Sequence, residues 1–300
     1  MIRIGLSCLV ASIALNACSP ATGSISPSAS LVSSEASSDL ARSRTKRSAS
    51  SLLFITGYEY SEILDYDQAG KNQYPAGELS LNGPVFAMQA DKNGNLYVGI
   101  YVAPSYELLE YAPGADSPSK TYTGVEGGVD IASCNGTLYV ADKEANDVLV
   151  YAAGATSPTS KITNSAFASV TSVACDASYN VYVAYQESND AEVIAKYGPG
   201  GTGAGTTLPM PGGYEVRLLK SGNLVISNGL SGISFYKPKS AKPYETIDLA
   251  GTFNIDAPED NLWIAAGFVT YRVVIRTKAV TDEIENPEDA GFAVTDPTAF

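Results

Sequence analysis

The chain has 300 residues, 45% of them hydrophobic, and a formal net charge of −13 that comes from 19 basic and 32 acidic residues. Because nucleic-acid binding needs Lys and Arg to neutralise phosphates, this acidity argues against a nucleic-acid partner. The sequence contains no histidine, which excludes His-dependent triads, the usual zinc ligands and the ordinary near-neutral acid–base group.

Residues 1–17 have the pattern of a signal peptide. A weakly basic start, Met1–Arg3, precedes a mostly apolar stretch from Ile4 to Leu15, which is too short to span a bilayer as a helix because that requires about 20 residues. The sequence Leu15-Asn16-Ala17-Cys18 resembles the lipobox of bacterial lipoproteins, although Asn16 departs from the small or apolar residue usual there. The resemblance implies cleavage before Cys18 and attachment of fatty acids such as palmitate to it. The alternative is an ordinary signal peptide cut nearby.

Residues 18–50 are rich in Ser, Ala and Thr and contain few large apolar side chains. Such a segment cannot bury enough surface to fold, so we expect a flexible tether. Its end carries the basic residues Arg42, Arg44, Lys46 and Arg47. They form either a solvated charge cluster or a site of weak attraction to anionic headgroups.

A lipid-anchored chain belongs to the cell envelope, with the membrane as one partner. Ser19, rather than aspartate, follows Cys18. In a Gram-negative cell this favours the outer membrane, with the protein facing the periplasm or the cell surface.

The body of the chain, residues 51–300, consists of internal repeats. Short apolar strands recur with first residues 43, 42, 43, 43 and 38 positions apart: Leu53–Ile55, Leu96–Val98, Leu138–Val140, Val181–Val183, Leu224–Ile226 and Leu262–Ile264. A period near 40 with several strands per repeat is typical of a β-propeller.

Each repeat contains further strand signals. A turn with Gly or Asn precedes the recurring strand, as in Asp91–Asn95; a strand ending in Tyr follows it, as in Leu108–Tyr111; and a Pro- and Gly-containing loop leads to a fourth strand, as in Ser119–Tyr122. Gly and Asn supply the positive φ that tight hairpins need. These signals predict an all-β, six-bladed propeller with four strands per blade.

The repeats resemble the NHL, YncE-like and SMP-30-like propeller superfamily, whose units carry a similar "D-x-x-G-N-L-Y-V" stretch. Asp91–Val98 matches it best. The resemblance implies the propeller fold and says little about function.

The two ends of the body predict how the ring closes. Residue 51 begins directly at a second-strand sequence, whereas Gly291–Asp296 resembles the inner-strand sequence Val85–Asp91. We therefore expect the C-terminal strand to insert as the innermost strand of the first blade, which protects strand edges that would otherwise pair with other chains. The closed ring is expected to be monomeric.

Candidate functional residues come from alternation along the predicted inner strands. One parity is apolar and includes Phe86, Met88, Val129, Ile131, Thr171 and Val173. We place the opposite, mostly polar parity on the central channel: Gln89, Asp130, Ser172, Glu215, Arg217, Asn254 and Asp256, with Thr295.

Three interpretations of this polar set stay open. The first is a water-filled channel in which Glu215 or Asp256 pairs with Arg217. The second is a divalent-cation site on Asp130, Glu215, Asn254 and Asp256, with calcium the suited ion because all four offer hard oxygen ligands; SMP-30-like lactonases likewise bind a metal with channel carboxylates and an amide. The third is a small polar ligand at the channel mouth.

Two other features favour structural roles. The segment Asp91–Asn95 looks like a calcium loop but lacks its completing Glu, and we interpret it as a hairpin turn. The segment Gly198–Gly205 lacks the Gly-Lys-Ser/Thr of a phosphate loop, and we interpret it as a blade loop.

Cys134 and Cys175 lie in neighbouring blades, but opposite parity argues against a disulfide between them.

The sequence therefore favours a non-catalytic, lipid-anchored propeller that binds or scaffolds an unidentified protein or glycan, without a cofactor. Tyr58, Tyr60, Tyr101 and Tyr106 in loops are candidate partner contacts. No residue is assigned a catalytic role. The alternative is a metal-dependent hydrolase or lactonase that works in the channel.

Overall fold

The structure of the protein is a computed structural model that describes residues 52–57, 60–68, 75–256 and 259–296. The predicted signal peptide, Cys18, the tether and Tyr58 lie outside the described residues. The described chain is almost entirely β, with one 3-10 helix, Gly229–Ser231. No helix in these ranges has the length and apolar character needed to cross a membrane.

Six consecutive groups of antiparallel strands form six propeller blades, as predicted. Blade one contains β1 (Leu52–Gly57), β2 (Glu62–Asp67) and β3 (Gly77–Ser80), and blade two contains β4 (Val85–Ala90), β5 (Leu96–Val102), β6 (Ser105–Tyr111) and β7 (Lys120–Tyr122). Blade three contains β8 (Gly128–Cys134), β9 (Thr137–Asp142), β10 (Asp147–Tyr151) and β11 (Ser160–Ile162).

The remaining strands complete the ring. Blade four contains β12 (Ser169–Cys175), β13 (Asn180–Gln186), β14 (Glu192–Pro199) and β15 (Thr206–Thr207). Blade five contains β16 (Glu215–Leu218), β17 (Leu224–Ser227), β18 (Ile233–Tyr236) and β19 (Glu245–Ile247). Blade six begins with β20 (Thr252–Ile255) and β21 (Asn261–Val274), followed by β22 (Ala279–Asp296).

The C-terminal strand closes the ring as predicted. The second half of β22 pairs antiparallel with β1, with Leu53 opposite Thr295 and Ile55 opposite Ala293. It therefore forms the inner strand of blade one, while the first half of β22 belongs to blade six. One continuous strand thus joins the last blade to the first.

Blade six reaches four strands because β21 folds back on itself. The N–H of Ile275 donates to the carbonyl of Asp260 at 2.8 Å, whereas a straight strand of this length would hold its ends about 40 Å apart. The reversal lies at Gly267, which has φ 66°, and Phe268, whose side chain is exposed. The two arms of β21 and the first half of β22 therefore form the second, third and fourth strands.

Tight turns connect the first and second strands of each blade. In the β8–β9 hairpin, Asn135 and Gly136 have φ values of 51° and 78°, the left-handed pair that a two-residue turn requires. We call the side of the ring that carries these turns the lower face. The side where the inner strands begin is the upper face.

The hydrophobic core lies between adjacent blades. Tyr139 and Val148 of blade three pack in one cluster with Val173 and Tyr185 of blade four. The chain's single tryptophan, Trp263, is fully buried in the cluster that joins blade six to Leu53 and Tyr66 of blade one. Because each blade buries its faces only against its neighbours, the ring is stable as a whole.

Candidate functional site

The predicted channel residues lie along five of the inner strands. Gln89 on β4, Asp130 on β8, Ser172 on β12, Arg217 on β16 and Asn254 on β20 are all buried. The side chain of Thr295 lies outside the part that the structure describes. The inner strands therefore carry a set of buried polar side chains.

Arg217 is the centre of this site. Its Nη1 donates to Asp130 Oδ2 at 2.8 Å and its Nη2 to Asp130 Oδ1 at 2.9 Å, a bidentate pair between blades five and three. Nη2 also lies 2.6 Å from Glu215 Oε1, and Nη1 donates to the carbonyl of Val216 at 2.9 Å. Bidentate geometry gives Arg–carboxylate pairs their strength and direction.

Ser172 of blade four connects the two partners. Its hydroxyl donates to Asp130 Oδ2 at 2.5 Å and accepts from the N–H of Val216 at 3.1 Å. The N–H of Val173 donates to the same Asp130 oxygen at 3.0 Å. Three neighbouring blades are therefore joined by one buried polar network, which we call the Arg217 network.

Glu215 completes the Arg217 network toward blade six, where its Oε2 accepts from the N–H of Phe253 at 2.8 Å. The pKa of Glu215 is raised to about 7, mainly by burial. The negative charge of Asp130 also raises this pKa, whereas the positive charge of Arg217 lowers it. Burial also opposes the charge of Arg217, but Asp130 and Glu215 outweigh this and raise its pKa. One guanidinium thus serves two carboxylates.

Gln89 and Asn254 form a second pair. Asn254 Nδ2 donates to Gln89 Oε1 at 2.8 Å, which connects blade six to blade two. The same Gln89 oxygen accepts from the N–H of Ala90 at 3.2 Å. With Arg217, these two amides line a cavity of about 30 Å³ whose other walls include Ala132, Val173, Ala174, Leu218 and Ile255, room for about two water molecules.

Asp256 lies apart from this arrangement, although alternation grouped it with the channel residues. Its carboxylate accepts from the N–H groups of Asp260 and Asn261 at 2.9 and 3.1 Å and from Asn261 Nδ2 at 2.6 Å. The carboxylates of Asp91 and Asp176 cap the equivalent turns of blades two and four in the same way. Asp256 therefore stabilises its own hairpin.

The four candidate metal ligands are thus divided among three sets of partners. Arg217 binds Asp130 and Glu215, Asn254 bonds to Gln89, and Asp256 caps its turn. Among the described residues, no three His, Cys, Asp or Glu side chains are grouped as a metal site. The predicted turn at Asp91–Asn95 is a β4–β5 hairpin turn.

Cys134 and Cys175 form a disulfide, contrary to the argument from parity, with Cα atoms 6.5 Å apart. Opposite parity would exclude the bond only if one side of each inner strand faced the channel and the other faced the packed blades. In the ring, both sides of an inner strand face neighbouring blades: Ile131 packs toward blade two, whereas Cys134 packs toward blade four. Two cysteines on adjacent inner strands therefore face each other when their parities are opposite.

The assignment of Phe86 to the same side as Met88 is also wrong. The pairings of β4, β8 and β12 each shift register near their start, at Val85/Ala87, Gly128/Asp130 and Val170/Ser172. Such bulges insert one extra residue and re-aim the side chains around it. Phe86 consequently packs toward blade three and Met88 toward blade one.

Aromatic side chains gather on the upper face. The Tyr106 ring lies 5.0 Å from Phe86 and 4.9 Å from Tyr101. A Cβ atom at Gly99 would lie 2.5 Å from the Phe86 ring, so glycine makes room for it. Tyr60, Tyr101, Tyr214 and Phe268 are exposed on this face, in blades one, two, five and six. Tyr214 and Phe268 were not among the predicted contacts, and the local signal for each is an aromatic residue that follows a glycine.

The charges of the two faces differ. In the described loops of the upper face, Lys143 is the single basic residue, among the acidic residues Glu126, Glu144, Glu187, Asp190 and Asp248. The described loops of the lower face carry seven basic residues: Lys92, Lys220, Lys237, Lys239, Lys242, Arg276 and Lys278. The upper face is therefore both aromatic and acidic.

The ring is similar to solved β-propellers over most of its length. A chain of the nidogen/laminin complex superposes with a TM-score of 0.63 at 13% identity, covering 82% of this chain and 98% of that one. A functionally unknown protein from Desulfotomaculum acetoxidans DSM 771 gives 0.58 at 12% identity, covering 82% and 85%. The WD40 propeller domain of Doa1 gives 0.57 at 11% identity, covering 84% and 88%.

These likenesses establish the fold alone, because propellers with such low identity differ widely in function. The chain is therefore a six-bladed β-propeller protein. No family model and no curated protein sequence matches it, so its place in the NHL, YncE-like and SMP-30-like superfamily stays a prediction.

Proposed function

We propose that this chain is a cell-envelope lipoprotein whose propeller is a non-catalytic binding or scaffolding module. Cys18 carries the lipid, residues 18–50 are the tether, and the ring presents a recognition surface to a protein or glycan. The observation that supports binding most directly is the exposed aromatic set Tyr60, Tyr101, Tyr214 and Phe268 on one face of a rigid ring. Aromatic side chains dominate the energetics of recognition surfaces.

The Arg217 network favours this proposal over the metal-dependent hydrolase. The two carboxylates best placed to hold a cation, those of Asp130 and Glu215, already receive charge-assisted hydrogen bonds from Arg217. A cation between them would have to displace a buried guanidinium. The network instead ties blades three, four and five together, which suits a scaffold that must keep its surface loops fixed.

Lipidation is tested by growing a bacterial host that expresses the full chain with an alkyne analogue of palmitate. We expect the label on the wild-type protein and its recovery with membranes. The Cys18→Ala variant is expected to lose the label, whereas Cys8→Ala, within the predicted signal peptide, keeps it. Labelling that survives Cys18→Ala contradicts the lipid anchor.

The recognition surface is tested by placing a photo-crosslinking amino acid at Tyr101 or Phe268 on the upper face, with Tyr179 on the lower face as the matched exposed control. In cells that carry the full chain, we expect one discrete adduct from both upper positions and none from the control. Equal adducts from all three positions contradict a specific surface. A rise in Tm with Ca²⁺ that Asp130→Asn abolishes would support the hydrolase instead.

A further inference from the structure

We infer that one corner of the lower face docks on anionic lipid headgroups of the membrane that tethers the chain. The surface consists of Lys220, Lys237, Lys239 and Lys242 of blade five and Arg276 and Lys278 of blade six, and we call it the basic surface. This inference rests on the lipid anchor of the proposed function. It adds an orientation for the propeller and a second, reversible membrane contact.

Three turns form the basic surface. Lys220 lies in the turn between β16 and β17, residues 237–244 join β18 to β19, and residues 275–278 join β21 to β22. Lys220, Lys237, Lys239, Lys242 and Arg276 are exposed. The loop 237–244 also presents Tyr244, which is 45% exposed and has the amphipathic ring favoured at membrane–water interfaces.

The turns from the two blades are contiguous. Lys278 Nζ lies 4.5 Å from the centre of the Phe235 ring, and the Phe235 ring lies 6.1 Å from that of Tyr244. The N–H of Lys220 donates to Glu259 Oε1 across the same boundary. The six positive charges therefore lie on one patch that spans two neighbouring blades.

The balance of charge at this corner is opposite to that of the body. Four acidic residues, Glu245, Asp256, Glu259 and Asp260, share the corner with the six basic ones. Residues 51–300 together carry 14 basic and 30 acidic residues. An anionic surface would repel most of this molecule, so charge complementarity selects the basic surface as its contact.

The chain enters the ring from the same face. Leu52, the first described residue, pairs with Asp296 at the end of the inner strand of blade one, and inner strands end at the lower face. Blade one adjoins blade six, which carries part of the basic surface. A tether that begins at a lipidated Cys18 therefore leads to the lower face, and docking there turns the aromatic upper face away from the membrane.

The experiment uses the lipidated full chain in nanodiscs of phosphatidylcholine alone or with about 30% phosphatidylglycerol, and maps lysine accessibility by acetylation and mass spectrometry. In the anionic discs we expect acetylation of Lys237, Lys239 and Lys242 to slow at least about fivefold, because the headgroups attract and cover them. Lys143 on the upper face is the internal control and should not change. The difference should vanish in 0.5 M salt, where screening acts within about 4 Å.

A pair of matched variants tests the charge itself. Lys237→Glu/Lys239→Glu should abolish the protection of Lys242 and Lys278, whereas Lys92→Glu/Lys143→Glu, which removes the same charge from two exposed positions elsewhere, should leave it intact. Equal loss in both variants overturns the inference.

The outcomes separate the inference from the proposed function. A chain that joins neither kind of disc overturns the lipid anchor and the docking with it. A chain that joins both discs with identical acetylation overturns the docking alone. Protection that is equal in both discs and rises with the number of chains per disc assigns the surface to a second copy of the chain and also overturns it.

Discussion

Arg217 of blade five binds both carboxylate oxygens of Asp130 in blade three, a residue 87 positions earlier, at 2.8 and 2.9 Å. The pair joins two blades that are not consecutive, and Ser172 of the intervening blade four donates to Asp130. Such a contact forms only when all three inner strands are in place. The relative positions of blades three, four and five therefore depend on one buried ion pair.

Replacing Arg217 with Met should destabilise the fold by about 3–5 kcal/mol, because the buried carboxylate of Asp130 and the largely buried one of Glu215 lose their counter-charge. Asp130→Asn/Arg217→Met should cost less than the sum of its two single variants, since it removes both charges of the pair. Urea unfolding of the four proteins checks this. Additive losses would show that the two side chains do not interact in solution.

The stability of the protein should fall as pH rises from about 4.5 to 7 in a way that depends on Glu215. Its pKa is raised from 4.5 to about 7 by burial, so the folded state binds a proton in that window that the unfolded state releases. This stabilisation is complete below the pKa of the unfolded state and is lost as the pH rises through the pKa of the folded state, a change on the order of 3 kcal/mol.

Glu215→Gln should lack this pH-dependent stabilisation. Between pH 5 and pH 8 the free energy of unfolding of the variant should therefore fall less than that of wild type. The exposed Glu144→Gln on the upper face is the control. Urea unfolding at both pH values measures the difference. Parallel losses in wild type and Glu215→Gln would contradict the raised pKa.

Removing residues 290–300 should lower Tm by more than about 10 °C or abolish the cooperative transition. The deletion exposes the edge of β1 and opens the junction between blades six and one. Trp263, fully buried in that junction, reports the change by fluorescence. Deleting residues 297–300, which follow the last described strand, is the control; an unchanged Tm in the longer deletion would refute ring closure by β22.

Loss of the Cys134–Cys175 disulfide should reduce stability by about 3–4 kcal/mol, the chain-entropy value for a loop of about 40 residues. Cys134→Ala/Cys175→Ala is compared with wild type by thermal unfolding, with and without a reductant. The reductant should lower the Tm of wild type and leave the variant unchanged. Two reactive thiols at these positions in protein purified from an oxidising compartment would argue against the bond.

Asp91→Ala should cost about 2 kcal/mol, because the carboxylate accepts from the N–H groups of Asn93 and Asn95 and from Asn95 Nδ2 and its loss leaves donors unpaired. The adjacent, exposed Lys92→Ala should have no measurable effect. Chemical denaturation of the two variants makes the comparison. Equal stabilities would mean that the turn does not depend on its cap.

The repeat period and the turn residues were enough to predict the blades, because the strands and hairpins of each repeat are encoded by residues within that repeat. The closing strand was also predictable, since Gly291–Asp296 resembles the inner strand that the first repeat lacks. The polar positions of the inner strands could also be read from the sequence, since period two is a property of a single strand, but which of them line the channel stays a prediction.

What alternation could not predict depends on contacts between strands. The bulge at Phe86 inserts one residue into β4, so that the Phe86 side chain faces the opposite neighbouring blade. No local signal in the sequence distinguishes this bulge from a regular strand. The disulfide required knowledge of how adjacent blades face each other. Asp256 was misplaced because the strand ends at Ile255, one residue before it, and a turn aspartate then bonds locally.

The shared strand β22 has a consequence for a chain exported as its N-terminus predicts. Residues 290–296 are the last of the described ring to be synthesised, yet β1, among the first, needs them as its partner. Every shorter length of chain is an open arc with an unpaired edge, so a finished propeller cannot assemble ahead of a translocation pore and obstruct it. A chain threaded through the pore while it is still being synthesised would therefore reach the pore before its ring can close.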